Sequence, residues 1–516
     1  MRKRAMHSYF RIVNELDRLL KSTLTPDQWD ARITELAKRI EREHAQAIPL
    51  LFKTLRTTAD SDLASLIIFV IERMEDPRAL EHALEIMRDP SVADEVKVGL
   101  LPFLLRHNVS LSSPELVGAF KDPRSISRTL TGWLLDGLAE DEDAIAPIVA
   151  DLEQWDRDSQ QQWLEHFGER GDERALPLLA TVAESRDVEL ARMAIAEIAR
   201  IPSGRTIFTL ENLFNHRETL WGEIERALRR LRAAGLHASP LFTAPGPVRE
   251  CWLTHIDGYG NQLVLIAREG EGGRYDAALF TLSEREGIPE CFSARGLTPR
   301  DYRSVVALMR HETPLVPISY EEARTLVRDA LFIARRHRAF ICPEFAFRRR
   351  IFGDDDLSPK EYRPEFPDFL LAEVRRQYAE LLATSDRLLT VFPFSDWWMD
   401  TPAAREFIAR RKLEATSLRL TREIVLAFIE EVIEPERETL VRRFALTAEF
   451  LLHLTGGRAP RSTYPWKATL ALWKALRDRR RSLSKIPFFH ELARVTIAGL
   501  AANIGRDENP SRESHP

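Results

Sequence analysis

The sequence predicts a mainly α protein in three parts: an N-terminal α-solenoid of paired helices, a small central α/β module and a C-terminal helical domain. Three observations carry this reading. The first half repeats a helix-pair pattern with a period of roughly 30 residues. A central stretch, "HIDGYGNQLVLIAREGEGGRYDAALF" (255–280), sets three short apolar runs between glycine-studded breaks. The last third returns to long amphipathic helices. A chain of 516 residues exceeds what one core can serve. The parts divide as 1–236 for the array with its capping helices, 237–250 for a linker, 251–360 for the central module, 361–503 for the C-terminal helices and 504–516 for a disordered tail.

The array comes first. "DPRALEHALEIM" (76–87) and "DERALPLLATVA" (172–183) share Asp-x-Arg-Ala-Leu and the apolar spacing after it. Pro49, Pro147 and Pro177 stand in nearly the same register of three such runs. Each unit continues through a break into a second apolar-periodic run. "VELARMAIAEIARI" (188–201) places Leu190, Met193, Ala194, Ile198 and Ile201 on one face, and "EVKVGLLPFLLRHN" (95–108) does likewise. An Asp or Ser ahead of each run supplies an N-cap. Units are expected at 47–74, 76–108, 112–140, 143–168, 172–201 and 204–234, capped by helices at 6–21 and 26–44. A two-helix unit cannot bury its apolar face alone, so stacking stabilises the array.

These repeats resemble HEAT repeats, of the short kind also seen in bilin-lyase-type proteins, over roughly residues 45–235; the rest of the chain resembles no family by its motifs. The resemblance implies a protein-binding scaffold. The di-iron hydroxylases built on such repeats carry His-Glu pairs at equivalent helix positions. Here His311-Glu312 and His490-Glu491 lie outside the array, so neither that activity nor a bilin lyase's is expected.

The linker is marked by three prolines and a glycine in "HASPLFTAPGPVRE" (237–250). After it "CWLTHI" (251–256), "QLVLIARE" (262–269) and "RYDAALFTLSE" (274–284) read as strands of an antiparallel three-stranded meander joined by "DGYGN" and "GEGG". Both faces of the second run are apolar, so helices at 298–311 and 319–338 are expected to cover the sheet. Ser319 and Glu322 have capping-box spacing. In the last third, helices are expected at 367–390, 402–413, 418–434, 436–455, 464–480 and 487–503.

Candidate chemistry is sparse. "DGYGNQ" runs from strand to strand, whereas a phosphate-cradling loop enters a helix N-terminus. Cys251 and His255 are four apart on a strand, too far to share a zinc ion. GxSxG, HExxH and Walker A signatures are absent, and no cofactor or metal is expected. If the chain is an enzyme, His255, Asp257, Asn261 and Asp354 would have to converge in a cleft between the central module and a helical domain. Arg335, Arg336, Arg348, Arg349 and Arg350 are the contacts to expect if it binds nucleic acid, although no aromatic residues interleave them. Trp397 and Trp398 are adjacent, so both cannot enter one core from a regular helix, and they are the candidate partner-binding pair.

No stretch of 18 or more apolar residues spans a membrane. The basic N-terminus lacks an apolar signal region. Three cysteines fit a reducing compartment, and a net charge of −5 gives no strong pull toward polyanions. The expectation is a cytoplasmic, non-catalytic scaffold or adaptor with a protein partner, without nucleic acid or membrane. The alternatives are an enzyme and nucleic-acid binding through the arginine clusters.

Overall fold

The computed structural model describes residues 2–20, 26–58, 60–109, 118–242, 246–413, 420–455 and 464–507. The chain is mainly helical, and it forms two compact units that divide at Asp141 and Glu142. The division falls inside the predicted array and not at its end.

The first unit is built from the helices Arg2–Leu20, Pro26–Glu43, Ile48–Thr57, Ser61–Glu72, Pro77–Arg88, Asp94–Gly99, Leu101–Arg106 and Pro123–Glu140. Its core runs from Ile12 and Leu16 through Ile48, Phe52 and Ile67 to Phe103 and Leu104. The run 95–108 departs from the expected single helix: it breaks at Leu100. Pro102 is the cause, since it has no N–H to donate back into the preceding turn and starts a new helix instead. The start of the unit at 112–140 lies outside the described residues, and its helix is Pro123–Glu140.

The shared Asp-x-Arg signature has a physical meaning. Asp76 caps the helix Pro77–Arg88 by accepting from the Arg78 backbone N–H at 2.9 Å, and its carboxylate also takes the Arg78 guanidinium at 2.6 Å. Asp172 repeats the arrangement with Arg174, at 3.1 Å and 2.6 Å. In both, the neighbouring guanidinium and N–H hold the carboxyl below the ordinary carboxylate range. The prolines repeat as well. Pro49 and Pro177 sit in the first turn of their helices, each after a 3-10 turn, where the missing N–H costs nothing.

In the second unit, residues 142–233 form six helices: Ile145–Glu153, Arg157–Arg170, Leu176–Ala183, Val188–Ile198, Gly204–Phe214 and Trp221–Ala233. Each packs on the helix two places further on, so the first, third and fifth make one layer and the second, fourth and sixth the other. The segment after them is not a free linker. Ser239 donates its N–H to the Gly204 carbonyl at 3.0 Å, residues 243–245 lie outside the described residues, and by Val248 the chain is already a strand.

The sheet has five strands where three were expected. They are β1 (Val248–Leu253), β2 (Asn261–Glu269), β3 (Tyr275–Ser283), β4 (Gly287–Leu297) and β5 (Val316–Pro317), all antiparallel, in the order β4-β3-β2-β1-β5. Pro289 and the exposed polar positions hide β4 in the sequence, and its place at the sheet edge is where a proline is tolerated. On one face Val264, Ile266, Ala278 and Phe280 pack under the helix Tyr320–His337; on the other Leu265, Ala267 and Ala277 pack under Tyr302 and Val306 of the helix Pro299–Glu312. The capping box of Ser319 and Glu322 forms.

The C-terminal helices are Asp368–Arg376, Tyr378–Ala383, Pro402–Arg411, Arg422–Phe428, Arg437–Leu454, Tyr464–Arg477 and Pro487–Asp507. The expected helix 367–390 is broken into three pieces. Arg437 is buried and donates to the carbonyls of Leu476 and Asp478 at 3.0 and 3.2 Å, placing a cation at the C-terminal end of Tyr464–Arg477. The last helix continues through residues 504–507 of the expected tail; residues 508–516 lie outside the described residues.

Candidate functional site

The arginine cluster at 335–350 turns inward. Arg348 pairs with Asp143 at 3.0 Å and Arg350 with Glu142 at 2.5 Å, while Arg335 pairs with Glu218 at 3.2 Å and lies over the Trp221 ring. These pairs fasten the central module to the helix pairs of 142–233. Arg349 is buried at 5% exposure, Arg335 is half-buried, and Arg336 is exposed. The set therefore makes no basic stripe.

The four residues proposed for an enzyme do not converge. The His255 ring packs against Phe392 and Phe450, and its Nδ1 lies 3.1 Å from the Thr313 hydroxyl. Burial lowers its pKa from the ordinary value. Asp257 and Asn261 serve the turn: the Asp257 carboxylate accepts from the N–H groups of Tyr259 and Asn261 at 2.9 and 2.8 Å. Its glycines are required by close approach, not by a ligand. A side chain at Gly258 would meet the Asp396 carbonyl at 2.5 Å, and one at Gly260 (φ +87°) would meet Glu284 at 2.3 Å. Beneath the turn, Arg443 donates from Nη1 to the Gly258 carbonyl at 2.9 Å and from Nε to Glu284 at 3.0 Å, with Nη2 on the other carboxylate oxygen. Asp354 lies elsewhere, in the cleft described below.

The tryptophan pair separates as adjacent residues must. Trp397 is 1% exposed among Phe394, Phe444 and Phe488, so it has no surface with which to meet a partner. Trp398 is half-buried, edge-to-face with the exposed Tyr259 ring.

Two sites do gather functional groups. The first is a pocket of about 140 Å³ between the helix Tyr320–His337 and the C-terminal helices. Leu253, Ile318 and Leu326 form its apolar wall, and Glu322, Tyr362, Glu449 and His453 its polar groups. Tyr362 donates its hydroxyl to Glu449 at 2.5 Å, and His453 Nε2 lies 3.4 Å from Glu322. Burial pushes the Glu449 carboxyl up to about 7, against the pull of the Tyr362 hydrogen bond. Such a group can give or take a proton near neutrality. Among the described residues, no cluster of three or more His, Cys, Asp or Glu could hold a metal ion.

The second is a cleft of about 610 Å³ where the fifth and sixth helices of the layered stack face the acidic loop Asp354–Ser358. Phe208, Phe214 and Leu228 line it, with Arg229 and Arg232 on one rim and Asp354 to Asp356 on the other. Phe208 and Asn212 also wall a smaller cavity of about 20 Å³, lined by Glu184, His216 and Arg349. There His216 Nε2 lies 2.5 Å from the Glu184 carboxylate, and Arg217 donates to the Ser185 carbonyl at 3.0 Å. Arg349 stands between the rings of Phe208 and Phe345 and makes no hydrogen bond to any described residue; its Nε is buried without a partner. Burial pushes its pKa down to about 10.

With this geometry in hand, one comparison is informative. Residues 360–501 are similar to the Y4lR C-terminal helical domain. Tyr362, Glu449 and His453 of the first pocket fall within that stretch. No curated protein and no solved structure matches the chain. Among the described residues, no helix is long and apolar enough to cross a membrane.

The first pocket had a faint signal in the sequence. Glu449 and His453 are four apart on one helix, hence on one face, and Glu322 was already placed at the capping box. Nothing local announces that Tyr362, 87 residues before Glu449, completes it. Arg349 was legible only as part of a charged run.

Proposed function

We propose that the chain is a scaffold whose paired helices are HEAT-like repeats, and that it binds an extended segment of a partner protein in the cleft at the end of the layered stack. The cleft carries the reading: with about 610 Å³ it joins an apolar floor to rims of both charges, and it lies at the last pair of the stacked helices. Such a surface suits a segment with an apolar anchor and flanking charges. Arg229 and Arg232 are mostly exposed, in pairs with Glu225 and Glu211, so reversing them spares the fold. Affinity capture with the full-length chain tests it. Proteins recovered by the wild type should be lost with R229E/R232E; an unchanged set of partners removes the cleft as the binding element.

A second reading, an enzyme, is favoured by one arrangement: the Glu449 carboxyl, pushed up to about 7 by burial, lies in a walled pocket with Tyr362 and His453. Incubation with a soluble metabolite extract and mass spectrometry tests it. A conversion made by the wild type and lost in Glu449→Gln supports it, and identical profiles exclude it. Nucleic-acid binding through the 335–350 cluster has no comparable support, because Arg335, Arg348 and Arg350 are spent on internal pairs and Arg349 is buried.

A further inference from the structure

We propose that Arg349 is the receptor for a carboxylate that enters through the cleft, so that the partner segment is anchored by an acidic group. The inference rests on the cleft reading and adds the chemistry of what the cleft takes. A guanidinium carries five donors in a planar fork, and buried ones are almost always paired with a carboxylate or with carbonyls. Arg349 is buried to 5% exposure, yet no described residue accepts a hydrogen bond from it. It lines the small cavity that shares Phe208 and Asn212 with the open cleft. Its guanidinium is thus unspent hydrogen-bonding capacity on the wall of a cavity that adjoins the opening through those two residues.

The surroundings select the ligand. The charges that act on Arg349 are Glu184 and Asp356, and His216 lines the same cavity. Glu184 is already engaged by His216, and Asp356 accepts from the Ser358 N–H at 2.8 Å and pairs with Arg328 at 3.1 Å. A single negative charge is attracted by Arg349. A second would be opposed by Glu184 and Asp356 in a poorly solvated place. The two oxygens of a carboxylate also match the guanidinium fork.

Thermal unfolding of the full-length chain tests this with acetate, chloride and inorganic phosphate at matched ionic strength. Saturating acetate should raise the melting temperature by about 2 °C or more over chloride, the stabilisation expected of a ligand bound only by the folded state. Arg349→Met, which keeps the length and loses the charge, should abolish the difference. Should that variant fail to fold, Arg349→Lys keeps the charge without the fork and should weaken acetate binding on the order of tenfold. No acetate-specific shift in the wild type, an equal shift in Arg349→Met, or phosphate acting as strongly as acetate would each overturn the assignment. Triglycine with a free C-terminal carboxylate, set against its amide, separates the sources: tighter binding than acetate identifies a chain end, and weaker binding a small free acid. The rim variant R229E/R232E should keep the acetate shift. If it does so while partner capture is unaffected, the carboxylate site stands and only the partner-cleft reading fails.

Discussion

Two arginines in the second unit are buried alike and used in opposite ways. Arg443, 4% exposed, spends its guanidinium on both oxygens of Glu284 and on the Gly258 carbonyl, and the adjoining carboxylate raises its pKa despite burial. Arg349, 5% exposed, lies between two phenyl rings with no acceptor, and burial lowers its pKa. Burial alone therefore does not say what a charge is for. Arg443 locks the glycine turn of the sheet onto the C-terminal helices; Arg349 leaves its Nε unspent on the wall of a small cavity.

The largest test breaks the lock. Glu284→Gln keeps the shape but leaves the Arg443 charge buried and uncompensated, so denaturant unfolding should show a loss of about 3–5 kcal/mol. A loss below about 1 kcal/mol would mean that water reaches the pair. Glu449 extends the comparison to a buried acid without a guanidinium. Its folded pKa, about 7, lies above its ordinary 4.5. The folded state therefore binds the extra proton between those values, and stability falls as pH rises through that window. Glu449→Gln should accordingly be more stable than the wild type at pH 8, by on the order of 2 kcal/mol, with the advantage fading toward pH 4.5. A constant difference across that range would show that Glu449 does not titrate there. Asp172→Ala supplies the partly buried case, removing a cap and the anchor of Arg174; a cost of about 1 kcal/mol is expected by thermal unfolding. Smallest of all is Arg349→Met without ligand, which should unfold within about 1 kcal/mol of the wild type, because it removes a buried charge that has no internal partner. A large loss would make Arg349 a second lock.

Much of the helical frame was legible because it is written in local rules. The Asp-x-Arg starts, the first-turn prolines and the Ser319–Glu322 box each act within a few residues, and the described helices begin beside them. The expected strands at 262–269 and 274–284 fall on β2 and β3, whose apolar faces are buried on both sides. The edge strand β4 was not legible, since its proline, glycines and exposed positions weaken the alternation of apolar residues. The sites were less legible still. Glu449 depends on Tyr362, and Arg349 on Phe208 across the fold, so their character arises from contacts between distant segments. Gly258 and Gly260 signal a turn by their type alone, but their need for close approach comes from Asp396 and Glu284.

The Asp-x-Arg start has one more consequence. The same residues that start these helices are also held from earlier in the chain: the Asp76 N–H donates to Glu41 at 2.8 Å, and Arg170, in the last turn of the helix before, reaches Asp172 at 3.2 Å. Each start is therefore a stitch as well as a cap, and loosening it frees two helices and not one.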